Sequence, residues 1–424
     1  MPTPDRETLD KHFPRYREFD PAVPTWCVTP DETGYIHRFF ETSPISPSGR
    51  YLAVTKLPCE DRLPNPGEIA EISVVDLLTG ERETVAKTTG WDTQMGAHLQ
   101  WGESDAQLFF NDMNTDTWTP YGVKLDPTTG DQTRLEGTIY DVTADGSKAA
   151  SPNLLGTRVT QDGYGVVVPD DALSRYEEAD DDDGVYVTDT ETGECELVAS
   201  VADIVEALDL DGSAFGPGTY YVFHVMWNPA GDQLMLNFRY WPDEGGYWRW
   251  VPHLVTLDAD GSNVRLCLPV EAWNRGGHHI CWRPDGERIT MNLRLEEDGP
   301  MRLVSVDPDG GGYEVLSDTI VGGGHPAPHA DGHTFVTDAY QHEDVAEGDG
   351  TIPLRLVDVA AQTERTALRI RTDPPFTGPH DELRVDPHPV WDPEHRFVTV
   401  NACPNGGRQV FVADLGEFVD SGAG

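Results

Sequence analysis

Short apolar runs alternate along the chain with turns rich in Gly, Pro, Asp and Asn, and they do so in a repeating order. One marker is an apolar strand end, a tight turn and a second apolar strand. Its seven copies are Ile45-Ser-Pro-Ser-Gly49, Trp101-Gly-Glu-Ser-Asp105, Val142-Thr-Ala-Asp-Gly146, Trp227-Asn-Pro-Ala-Gly231, Trp282-Arg-Pro-Asp-Gly286, Pro328-His-Ala-Asp-Gly332 and Trp391-Asp-Pro-Glu-His395. A second marker alternates with the first: an apolar strand closing on Asp, at Asp76, Asp126, Asp189, Asp258, Asp307, Asp358 and Asp414. Asp and Gly are the residues expected at turns between paired strands.

Two hairpins per repeat give a four-stranded unit, and seven such units predict an all-β, seven-bladed β-propeller. The last repeat runs out after Asp414, so an N-terminal strand is expected to close the ring, from Trp26-Cys-Val-Thr29 or Tyr35-Ile-His-Arg38. Residues 1–25 read as a polar, partly helical lead-in, and 26–424 as a single propeller domain. The third repeat carries an irregular insertion over about 151–218, including Gln161-Asp-Gly-Tyr-Gly165 and an acidic, solvated run from Glu177 to Asp183.

Charge narrows the partners. The chain has 424 residues, with 30 Lys and Arg against 74 Asp and Glu, a formal charge of -44. Such acidity excludes a nucleic-acid backbone and an acidic membrane surface as partners, and fits a salt-rich cytoplasm where salt screens self-repulsion. The six cysteines form no CxxC pair and are too sparse for a disulfide scaffold. The first residues lack the basic and apolar regions of a signal peptide, and no stretch has the length of a transmembrane helix. A soluble, cytoplasmic protein is expected, of open oligomeric state.

The position three residues before each anchor reads Thr42, His98, Ile139, His224, His279, His325 and His388. Five of fourteen histidines thus fall in one column. Radial repetition brings that column to one ring near the axis, where imidazoles facing one another make a natural site for a divalent transition metal. His224, His279, His325 and His388 are the expected ligands, and His98 is free to be a base. A blade-to-blade hydrogen-bonding role is the alternative for such a column. Strand ends returning to the same face are polar, with Asn292, Asp338, Arg239, Arg294 and Tyr340 among them. Arg239 and Arg294 could clamp a carboxylate, and Tyr340 or Tyr164 could serve as an acid.

In His279-Ile-Cys-Trp-Arg-Pro-Asp-Gly286, Gly322-Gly-Gly-His-Pro-Ala-Pro-His329 and His388-Pro-Val-Trp391 the chain resembles the oligogalacturonate lyases, polysaccharide lyases with seven-bladed, TolB-like propellers. The resemblance implies β-elimination of uronic-acid oligosaccharides, with a divalent metal, Mn above Zn or Fe, held by histidines and a glutamine, a His base and an assisting Arg. Carried over, His325 and His388 match ligand positions, and His279 matches either a ligand or the base. The segment Leu383-Arg-Val-Asp-Pro-His388 has no Gln and places Asp386 where a second His is expected, so His224 or Asp386 would complete the ligand set. Another metal-dependent carbohydrate enzyme, and a non-catalytic propeller binding a protein or sugar partner, are the competing readings.

Overall fold

The computed structural model describes residues 3–173, 180–243 and 249–420. Its strands form seven four-stranded antiparallel sheets, six of them simple meanders of consecutive strands. The blades open on inner strands Tyr35–Ile36, Gln100–Trp101, Asp141–Val142, Gly218–Trp227, Gly277–Trp282, Ala327–Pro328 and Val390–Trp391. Blade 7 contributes only three strands from the C-terminal end. Thr25–Cys27 completes it, pairing Trp26 with Val412. Tyr35–Ile36, the other expected closing strand, instead opens blade 1. Closure leaves no edge between the chain ends.

The turns follow from their residues. The anchor glycines Gly49, Gly146, Gly231, Gly286 and Gly332 all have φ between 70° and 77°, where a side chain is strained. Blade 7 has His395 at this place, at φ 56°. The second marker's aspartates cap the next turn: Asp76, Asp126, Asp189, Asp307 and Asp358 each accept from the backbone N–H two residues on, at 2.8–2.9 Å. Anchor tryptophans tie blades together. Trp101, Trp282 and Trp391 donate their indole N–H to Pro44, Met226 and Ala327 of the preceding blade.

Before the ring, helix Arg6–His12 is capped by Asp5 and buries Leu9. Residues 151–218 hold the outer strands of blade 3 as well as irregular segments. Helix Leu154–Thr160 is capped by Asn153, and helix Val201–Leu208 by a Ser200–Asp203 capping box. The acidic run begins at 177–179, outside the described residues. Its described end passes from exposed Asp181 and Asp182 to buried Asp183 at the edge of blade 3. No described helix is long and apolar enough to cross a membrane.

Candidate metal centre and catalytic face

The column residues leave the regular strand conformation. His98, His279 and His388 have φ of 57°, 60° and 47°, and Gly324, just before His325, has 59°. The ladder slips between Val222 and His224, and again between His278 and Cys281. Such bulges re-aim a side chain at the cost of local strain. Here they bring the imidazoles of blades 4 to 7 around one residue that the sequence did not single out, Phe39. Its ring centroid lies 5.5, 5.9, 5.5 and 4.4 Å from those of His224, His279, His325 and His388.

Phe39 occupies the point where four imidazoles would have to share an ion. Among the described residues, one group brings three potential ligand atoms within 4.8 Å of one another: His325, Asp386 and His388, all buried. His224 and His279, expected as ligands, stand outside it. The two histidines of the group are oriented alike. His325 Nδ1 is 2.9 Å from Asp338, and His388 Nδ1 donates to the Arg38 carbonyl at 3.0 Å. Both Nε2 atoms are buried without a hydrogen-bond partner, that of His388 lying 3.8 Å from the Asp386 carboxylate. With Nδ1 carrying the proton, Nε2 of neutral His388 presents a lone pair, and Nε2 of His325 does so once its own proton is released, which is the form a metal takes. Burial and the neighbouring His325 hold His388 well below its ordinary pKa. For His325 burial acts the same way, but Asp338 outweighs it and the pKa is raised. Two imidazole nitrogens and a carboxylate suit a borderline divalent ion, so the residues present fit the metal.

His279 lies against this group, its ring 3.8 Å from that of His325. Its Nδ1 is 2.6 Å from the Gly324 carbonyl and 2.7 Å from His278 Nδ1, and its Nε2 is 3.1 Å from the Tyr340 hydroxyl. The carbonyl requires a proton on Nδ1, so Nε2 accepts from Tyr340. Burial and then His325 push the His279 pKa well down, and burial pushes that of Tyr340 well up. Both are neutral near pH 7.

Arg384 links the parts. Its Nε donates to Asp386 at 2.7 Å and its Nη2 to the Tyr164 hydroxyl at 3.1 Å. Arg384 is not among the residues expected at the site. Its spacing of two from Asp386, and of two again to His388, is the signal, because alternate residues of extended chain share a side. Arg408 and Gln94 hold this segment in place through the carbonyls of Leu383, Glu382 and Arg384.

The remaining expected residues fall elsewhere. Arg239 is buried beside blade 4, donating to Asn237 and Gln161 and lying 3.6 Å over the Phe223 ring. Arg294 turns to the Gly299 carbonyl at its own hairpin end. His98 pairs with Asp92 at 3.2 Å and packs by Tyr140, which in turn lies against His224. A cavity of about 500 Å³ opens beside Tyr340, Arg384 and Asp386. Another, of about 520 Å³, lies among Trp101, Trp227, Trp282 and Trp391, and no column histidine lines it.

No family model matches the chain, and neither does any curated protein sequence. Solved structures do. An oligogalacturonate lyase in complex with manganese superposes with a TM-score of 0.64 at 14% identity, over 96% of this chain and 97% of that one. The oligogalacturonate lyase of Vibrio parahaemolyticus gives 0.65 at 15%, over 95% and 96%. The tricorn protease gives 0.50 at 9%, over 92% of this chain and 35% of its own. At these identities the likeness establishes the seven-bladed fold, which the lyases share end to end.

Proposed function

We propose that the protein is a metal-dependent lyase that cleaves acidic, uronic-acid oligosaccharides of the oligogalacturonate type by β-elimination. The observation that carries this reading is the pair of buried, unpartnered Nε2 atoms of His325 and His388 facing Asp386, next to a neutral tyrosine–histidine pair. His325, Asp386 and His388 would hold the ion, with Mn favoured and Zn or Fe also suited to this donor set. When bound, it supplies positive charge that stabilises the enolate-like carboxylate.

The chain's own residues supply the rest. Arg384 is placed to neutralise the substrate carboxylate, which acidifies the adjacent C5 proton. That proton passes to the Tyr340 oxygen while the Tyr340 proton moves to Nε2 of His279. The C5–H electron pair forms the C4=C5 double bond, and the C4–O4 bond breaks. Tyr164 accepts from Arg384 and keeps its own O–H free to protonate the departing O4. In this scheme His279, rather than His98, is the base. The six cysteines are free, which suits a reducing cytoplasm as the place of the reaction.

Elemental analysis of the purified wild type beside His325→Ala and His388→Ala tests the site. About one transition metal per chain in the wild type, lost from both variants, is expected. Incubation with uronide oligomers should then produce the ultraviolet absorbance of an unsaturated uronide. A wild type that stays metal-free after incubation with Mn, Zn or Fe would sink the metalloenzyme and leave a binding propeller.

A further inference from the structure

The cavity beside the candidate metal centre has an uneven charge. Its lining carboxylates are Asp373, Asp381 and Asp386, and among its described lining residues Arg384 is the one guanidinium or ammonium group. Arg384 is already bonded to Asp386. Asp373 and Asp381 are exposed at the rim. Arg371 bonds Asp373 at 2.9 Å and offsets part of its charge. One wall is flat: the rings of Tyr340 and His342 stack, 5.4 Å apart and 15° from parallel.

A polyuronide carries a carboxylate on every sugar. With one of them at Arg384, the next sugar along the cavity would bring its own carboxylate toward Asp373 or Asp381. Two like charges at 4 Å repel by about 1 kcal/mol even in water, a factor of about five in affinity. A neutral sugar meets no such penalty. Its hydroxyls can donate to the same carboxylates, and its C–H face suits the aromatic wall. Building on the lyase reading above but narrowing its substrate from a chain charged on every sugar, we infer that the preferred substrate carries a single carboxylate, on the sugar that is cleaved, with a neutral sugar in the neighbouring position.

The test is titration calorimetry on the Mn-loaded protein with two probes: digalacturonate, and a disaccharide of one neutral sugar linked to O4 of one uronate. The single-carboxylate probe should bind at least about five-fold more tightly at low salt, and the gap should narrow near 1 M salt as the Debye length falls to about 3 Å. A double variant, Asp373→Asn with Asp381→Asn, should gain more on digalacturonate than on the single-carboxylate probe. Equal or tighter wild-type binding of digalacturonate would overturn the inference, and cleavage of it would leave the lyase reading standing. Failure of both probes to bind overturns the inference as well. The expected binding order without unsaturated product from either probe would instead remove the lyase chemistry and keep the charge preference.

Discussion

At His325, Asp338 decides what the imidazole can do. The carboxylate contacts Nδ1 and also accepts the His325 backbone N–H, so the ring is fixed with Nε2 toward Asp386 and His388. Asp338→Asn should therefore weaken metal binding by about 10- to 100-fold with the fold intact. Competition with a chelator, read beside circular dichroism, checks it, and unchanged affinity would refute the orienting role. Glu41 allows a second prediction. Both its carboxylate oxygens are buried without a partner, and burial, opposed by Arg38, pushes its pKa from an ordinary 4.5 up to about 7. The unfolded chain releases this proton near pH 4.5 and the folded chain holds it to about 7, so stability contributed by the protonated form falls as pH rises through that window. The shift corresponds to roughly 3 kcal/mol, fully felt above pH 7. Glu41→Gln should be the more stable protein at pH 8 in urea denaturation, and the gap should close toward pH 4.5. The histidine column was readable because it repeats. Phe39 was not: it is one apolar residue among many, and only closure of the ring puts it on the axis between the imidazoles.

The elements were readable where a local turn dictates them and not where distant packing does. Seven anchors and seven closing aspartates follow from turn chemistry alone, and the structure has a blade at each. The choice between Thr25–Cys27 and Tyr35–Ile36 as closing strand could not be made locally, since both are short, apolar and edge-like. It is settled by pairing, since Tyr35 and Ile36 are buried too but lie against Lys56 and Thr55 of blade 1. Trp26 is fully buried, takes Val412 as its strand partner and donates its indole N–H to Asp10 at 3.0 Å. Trp26→Ala should cost about 3–5 kcal/mol, the range for deleting a buried large aromatic, and should lower the denaturation midpoint of the whole ring in one transition. A loss below 1 kcal/mol would mean that the closing strand does not hold the ring. The short helices of 151–218 escaped because each spans only two turns or so, and their caps, Asn153 and Ser200, are also ordinary turn residues.

For the molecule as a whole, the charge of -44 has to be reconciled with a closed, densely packed ring. The acidic residues are spread over the chain, so folding concentrates their charge on one compact surface, and the unfolded chain relieves that repulsion by expanding. Added salt should then stabilise the folded state, because the screening length falls from about 10 Å at 0.1 M to about 3 Å at 1 M. The ion pairs that join chain ends do not reverse this expectation. Arg6 and Arg396 both bind Asp414, whose side chain is fully buried while theirs are partly exposed, and such partly buried pairs are screened less than fully exposed charges. The melting temperature should rise by several degrees between about 0.1 M and 1 M KCl, and the rise should be smaller in a variant with surface acids changed to Asn and Gln away from the candidate site. Sucrose at matched osmolality separates screening from solvent exclusion. If sucrose gives the same rise, or if the melting temperature is flat in KCl, self-repulsion is not what limits this propeller's stability, and the acidic surface requires a different physical account.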